Sequence, residues 1–100
     1  MTAYVISEVE VLDDHLIETY RVVAQATIDQ YGGRYIVRGG EVELIEGERD
    51  PARRFVIVEF PTMERAREWY GSPEYAEALK VRATALTRTL VFVEGVATQA

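Results

Sequence analysis

Three short runs in this sequence place a carboxylate at the end of a large apolar stripe: Tyr4-Ile6-Glu8, Phe55-Ile57-Glu59 and Leu90-Phe92-Glu94. Read at the two-residue period of a strand, each run occupies one face, while the opposite faces carry small aliphatic residues such as Val5, Val9, Val56, Val58, Val91 and Val93. A carboxyl group set against apolar surface and near another acid has its pKa raised, which suits it to moving protons near neutrality. A phenol between two such acids could hold a substrate hydroxyl or carbonyl. On this pattern Glu59 and Glu94, with Tyr4 between them, are the candidate catalytic residues, and Glu8 stands apart at the other end of its strand. The plainer alternative is that these glutamates sit at strand ends in water. Arg38, Tyr70, Tyr75 and Arg82 are the candidate substrate-binding residues. The two tyrosines flank a helix break and could line a cavity mouth; the two arginines could hold a substrate or pair with surface acids.

Other chemistries find little footing. There are no cysteines and one histidine, which rules out disulfides, thiol nucleophiles, Cys-ligated metals and a His-rich metal site within one chain. His15 falls in the first turn of a helix, where a solvent-facing role is expected. Ser72 has no histidine or lysine base suggested near it, and Ser72-Pro73-Glu74 reads as a helix start: a serine cap, proline at the first helical position, an acid in the first turn. Gly32-Gly33 and Gly39-Gly40 lack the lysine and spacing of phosphate-binding loops. No metal and no cofactor is expected.

The elements that must position these residues can be read along the chain. Residues 3–11 alternate as a strand. Asp13-Asp14 offers cap chemistry for a helix whose stripe is Leu16, Tyr20, Val23, Thr27 and Tyr31, ended by Gly32-Gly33. Residues 34–38 and 41–46 read as strand, and Gly39-Gly40 between them is either a hairpin turn or a bend in one long strand, the bend being slightly favoured. Residues 54–60 form a β-branched and aromatic strand. Pro61-Thr62 starts a short helix with Ala66, Trp69 and Tyr70 inward. Gly71 breaks it, and Ser72 caps a further helix with Ala76, Leu79, Ala83 and Leu86 as its stripe. Residues 89–94 are the last strand. The order β-α-β-β-α-β, with the second helix split, is that of a ferredoxin-like α+β fold with an antiparallel sheet. Residues 1–96 are expected to be one domain and 97–100 a flexible tail.

In such a sheet the order is last, first, third, second strand. Tyr4 then lies beside Glu59 and Glu94, whose backbones are two strand spacings, about 10 Å, apart. Helices cover only one face, yet the third and last strands are apolar on both. A second copy of the sheet would cover what remains, and two-fold dimers are the commonest oligomers. A homodimer burying Phe55, Ile57, Leu90 and Phe92 is therefore expected. The net charge of −6 disfavours nucleic acid and anionic membrane surfaces as partners. No signal-peptide pattern and no apolar run of about 20 residues is visible, which favours a cytoplasmic protein.

An ordered set of short motifs then points further: Tyr31-Gly32-Gly33, Val37-Arg38-Gly39-Gly40, Glu46-Gly47, Glu59-Phe60-Pro61, Trp69-Tyr70, Ser72-Pro73-Glu74-Tyr75 and Arg82. Together they resemble a small bacterial family, the domain of unknown function 1330 family of the dimeric α/β-barrel superfamily, from about Tyr4 to Val96. Ala76 and Gly71 depart from its usual pattern. The resemblance implies a dimer whose sheets pack face to face around a cavity. It implies no reaction; relatives in the superfamily include cofactor-free monooxygenases, haem-degrading enzymes, lactone isomerases and ligand-sensing domains. Two functions stay open: a metal-free isomerase or monooxygenase-like enzyme acting on a small organic molecule between the sheets, and a non-catalytic dimerisation or ligand-binding module.

Overall fold

A computed structural model describes residues 1–96; the expected tail, 97–100, lies outside the described residues. The elements are β1 (Ala3–Val11), α1 (Asp14–Gln30), β2 (Arg34–Arg38), β3 (Arg54–Phe60), α2 (Met63–Tyr70), α3 (Pro73–Ala85) and β4 (Leu86–Glu94). The four strands form one antiparallel sheet in the order β2-β3-β1-β4, the ferredoxin-like arrangement expected.

Local chemistry explains the boundaries. The Asp13 carboxylate accepts from the His15 and Leu16 amides and caps α1. Those two bonds hold its carboxyl below the usual carboxylate range, the Leu16 amide contributing most. At the far end, Gly33 N–H donates to Ile28 C=O at 2.8 Å and Gly32 N–H to Asp29 C=O at 3.1 Å. That pair is the Schellman stop, with Gly32 at φ +82°. Gly33 is required for a second reason: a Cβ there would lie 2.6 Å from the Phe60 ring and 2.9 Å from Ile28. Thr62 Oγ1 accepts from the Arg65 amide to start α2, and Ser72 Oγ accepts from the Tyr75 amide to start α3.

One face of the sheet lies under the helices. Ala3, Val5, Ser7 and Val9 of β1, with Val58, Phe60 and Leu86, are buried there. Phe60, Trp69 and Tyr75 are the largest fully buried side chains, with ring centroids 5.3 Å apart for Phe60–Trp69 and 4.2 Å for Trp69–Tyr75.

Several expectations are corrected. Residues 41–46 form no strand, so Gly39-Gly40 is neither hairpin turn nor bend but the end of β2. Gly39 turns the chain off at φ +68°, and Val42, Leu44 and Ile45 are left exposed. Alternation alone is insufficient there: the outer edge of β2 is free to receive a strand, but the chain turns away at Gly39 and residues 41–46 pair with nothing among the described residues. The last strand begins at Leu86, three residues earlier than read. The stripe of α3 is Tyr75, Ala78 and Ala85, since Ala76 and Ala83 are exposed and Leu86 belongs to β4. The buried face of α1 is turned slightly, onto Ile17, Tyr20, Ala24, Thr27 and Ile28.

The most consequential correction concerns β4. In register, Phe92 is paired with Val5, Leu90 with Ser7 and Glu94 with Ala3. Directly paired residues share a face. Leu90, Phe92 and Glu94 therefore stand on the helix side, and Val91 and Val93, both more than two-fifths exposed, stand on the open side with Tyr4, Ile6, Phe55 and Ile57.

Candidate functional site

The polar centre of the molecule lies between the sheet and the helices. Arg88 is paired with Val9 in the ladder, so its side chain rises from the sheet toward α1 and α3. One guanidinium nitrogen donates to Tyr20 Oη at 2.8 Å and the other to Tyr75 Oη at 2.9 Å; the two phenol oxygens are 2.5 Å apart. Tyr20 comes from the middle of α1. Tyr75 comes from the first turn of α3 and is fixed there by the Ser72 cap, whose own hydroxyl donates to Trp69 C=O at 2.7 Å. Trp69 lies against Tyr75 and donates its Nε1–H to Thr27 Oγ1 at 3.1 Å. Three elements thus converge on one cation, and each contributing side chain is itself held by a neighbour.

Among the described residues no carboxylate reaches Arg88; the ion pairs are elsewhere. Burial by itself would lower the Arg88 pKa, but the adjacent Tyr20 and Tyr75 oxygens outweigh it and raise the value above the ordinary one. Burial, then the neighbouring Tyr20, pushes the Tyr75 phenol well above its ordinary range. Tyr35 is pushed up to about 12, again mainly by burial. These phenols therefore stay protonated at neutral pH and act as hydrogen-bond groups rather than as bases. The protons can be counted. Arg88 donates two hydrogen bonds, one phenol O–H donates the third, and the remaining O–H has no acceptor among the described residues. Tyr20 lines the inner cavity and Tyr75 does not, so a ligand oxygen there meets the spare O–H when Tyr75 is the donor within the phenol pair.

Two spaces adjoin this cluster. An inner cavity of about 80 Å³ lies between sheet and helices and is lined by Val5, Ser7, Val9, Ile17, Tyr35 and Arg88 among others. It is smaller than the roughly 150 Å³ that encloses a benzene ring. A wider groove of about 530 Å³ opens outside, bounded by Tyr70, Arg82, Arg88, Leu90 and Phe92. Arg88 and Leu90 line both, so the guanidinium stands at the partition.

The residues singled out from sequence are distributed as follows. Tyr4 and Glu59 are directly paired on the open face, and Glu59 bonds Arg34 at 3.4 Å. Glu94 is on the other face, so Tyr4, Glu59 and Glu94 do not come together, and no glutamate lines either space. The reason is register: likeness of the three acid-tipped runs is no guide to the side on which β4 presents its own. Tyr70 and Arg82 do line one space, the outer groove. Tyr75 is fully buried in the cluster. Arg38 lines the inner cavity, lies 4.6 Å over the Tyr35 ring and donates to Gln25 Oε1 at 3.2 Å. An irregularity between Tyr35 and Val37 is what puts both Tyr35 and Arg38 on the helix side, as a bulge re-aims alternate side chains. His15 is exposed in the first turn of α1. Among the described residues no three histidines or acids gather to hold a metal ion. Arg88 and Tyr20 were not foreseen as a site. The signal was present in Leu86-Arg88-Leu90-Phe92, a charged residue on an otherwise apolar period-two face.

Solved structures share this fold. A protein of unknown function from Rhodopseudomonas palustris is 18% identical, with a TM-score of 0.78 over 97% of this chain and 84% of that one. SnoaB, a cofactor-independent oxygenase from Streptomyces nogalater, is 12% identical, with a TM-score of 0.68 over 97% of this chain and 95% of that one. Rv0793 from Mycobacterium tuberculosis is 15% identical, with a TM-score of 0.62 over the whole of both chains. At these identities the likeness is one of fold. None of the curated proteins matches. At the level of sequence, the profile of a domain of unknown function, DUF1330, runs from residue 2 to residue 96 without a break in the elements just described, and the chain belongs to that family.

Proposed function

We propose that this protein binds a small organic molecule carrying an ionisable oxygen, an enol or a phenol, with that oxygen on Arg88 and the spare phenol O–H, and that it does so as a cytoplasmic homodimer. The observation that carries the reading is Arg88 itself: a largely enclosed cation with no carboxylate partner among the described residues, held by two phenols beside an open groove. A guanidinium in low dielectric favours the anionic form of a nearby acid, so the site lowers the pKa of its ligand rather than supplying a base. In the enzyme version the ligand gives its proton to solvent water at the groove. The anion is then either reprotonated by water at carbon, which completes a tautomerisation, or oxidised by dioxygen as co-reactant, which is reduced as it takes electrons from the anion, in keeping with the fold shared with a cofactor-independent oxygenase.

A non-catalytic ligand-binding module is the second reading. It is favoured by the absence, among the described residues, of any acid lining either space and by the Tyr35 and Tyr75 phenols, whose pKa values lie far from neutrality. Tyr4 and Glu59 would form part of a site only where a second copy closes over the open face; Glu94 would not join them.

The test uses the single tryptophan, Trp69, as reporter. Titration with 1,3-cyclohexanedione, an acidic enol, should change its fluorescence saturably, and cyclohexanone should bind at least about tenfold more weakly. Arg88→Met should abolish the difference while the far-UV spectrum stays native, because the Tyr20 and Tyr75 phenols still bond each other once the guanidinium is gone. Equal binding of the two probes, or an unchanged preference in Arg88→Met, overturns the reading. Dioxygen uptake or tautomerisation of the bound enol would separate enzyme from module.

A further inference from the structure

The outer groove contains a second cation that the reading above does not use. Arg82 projects from the last turn of α3, and its Nε is buried without a hydrogen-bond partner. The chain has 17 acids and 11 lysines and arginines; among the described residues five of the cations form ion pairs and Arg82 is not one of them. Arg49, whose Nε is also orphaned, is different: it bonds Glu8 at 3.6 Å and donates to Arg53 C=O, so its charge is answered within the chain. A cation at a helix C-terminus is stabilised by the backbone carbonyls, but that does not require burying an N–H with nothing to receive it.

Apart from Arg88, the residues that line the groove with Arg82 are aromatic or aliphatic. Tyr70 and Phe92 meet edge to face at 6.2 Å, Leu90 lines the groove with them, and among the described residues Arg82 and Arg88 are the groove's charges and no acid lines it. The two terminal nitrogens of Arg82 make no hydrogen bond among the described residues and are not closed off as its Nε is, so they offer the groove a planar pair of N–H donors that matches a carboxylate. We infer that the groove is an anion subsite in which Arg82 takes the carboxylate of a planar organic acid while Tyr70, Leu90 and Phe92 take its ring. The inference rests on the Arg88 reading for the other end of the ligand and narrows its class to planar acids.

Arginine side-chain nitrogen NMR of the full chain tests it, with benzoate as the probe and benzamide as its neutral counterpart. The Arg82 Nε–H signal, assigned as the one missing from Arg82→Lys, should shift saturably with benzoate, and benzamide should bind at least about tenfold more weakly. Arg82→Gln should retain the native melting temperature and lose that preference. Equal shifts with the two probes overturn the inference, since the ring alone would then be recognised. Benzoate that moves the Arg88 signal and leaves Arg82 fixed also overturns it, while the Arg88 reading stands. Benzoate that moves Arg82 in a protein indifferent to 1,3-cyclohexanedione leaves the subsite in place and removes the Arg88 reading instead.

Discussion

The two faces of this one sheet handle charge in opposite ways. On the open face Glu59 is answered by Arg34 and Glu8 by Arg49, which also lies 4.8 Å over the Phe55 ring. Charge there is settled between neighbours, in surroundings that are only half-buried. Under the helices the arrangement is reversed. Arg88 donates to two phenols, and among the described residues neither it nor Arg82 in the adjoining groove forms an ion pair with an acid. A charge left unanswered where water is scarce is costly unless something else supplies the counter-charge. The comparison separates a face suited to covering by apolar surface from a face suited to receiving an anion.

The sharpest way to break the comparison is to empty the helix side. Trp69→Ala removes a fully buried ring that touches Phe60 and Tyr75 and leaves the Thr27 hydroxyl without its donor. Unfolding by urea should show a loss of about 3–5 kcal/mol. A loss under about 1 kcal/mol would mean that the helix side is not the core. The open face should respond in assembly instead. Val93→Asp should leave the far-UV spectrum unchanged and raise the dimer dissociation constant, read by sedimentation equilibrium, by about tenfold, or 1.4 kcal/mol. A wild-type chain that is monomeric at micromolar concentration would end the dimer proposal. Next in size, Ser72→Ala should cost about 1 kcal/mol by removing the cap that places Tyr75.

The smallest effect is alkaline. Tyr35 is neutral in the fold up to about pH 12 but ionises near its ordinary value when unfolded. The native state then holds more protons between those values, so stability falls as pH rises from roughly 10 toward 12. Tyr35→Phe should flatten part of that fall in urea melts at a series of pH values. An unchanged slope would show that Tyr35 titrates normally.

Most of the fold was readable because its signals are local. The Asp13, Thr62 and Ser72 caps, the Gly32-Gly33 stop and the alternation of β1 each depend on a few adjacent residues. The site was less readable because it depends on register. Leu90 to Glu94 is apolar on both faces, so nothing within the strand says which face meets the helices; that is decided by Val5 pairing with Phe92, nearly ninety positions away. Once the phase is known, Arg88 falls under the helices and Glu94 leaves the group to which its likeness with Glu59 assigned it. Tyr70 and Tyr75 could be singled out because a helix break is legible without any knowledge of register, whereas Arg82 was marked only by its place in the family's ordered motifs. Residues 41–46 failed for a related reason: their alternation is strand-like, but a ladder needs a partner.

The position of β1 has a consequence for how the chain reaches this state. It is the first strand to be made, yet it lies between β3 and β4, and its two ladders close only with segments that begin at Arg54 and Leu86. At ~5–20 residues per second, a ribosome takes several seconds to deliver the first of these. Until then the nascent β1 and α1 have little to pack against but each other, with Val5, Val9, Tyr20 and Ile28 in reach of any chaperone. Order of this kind, with early segments waiting for late ones, gives slow folding for a domain of this size, and the chain should commit to its native sheet only after Glu94 has left the exit tunnel.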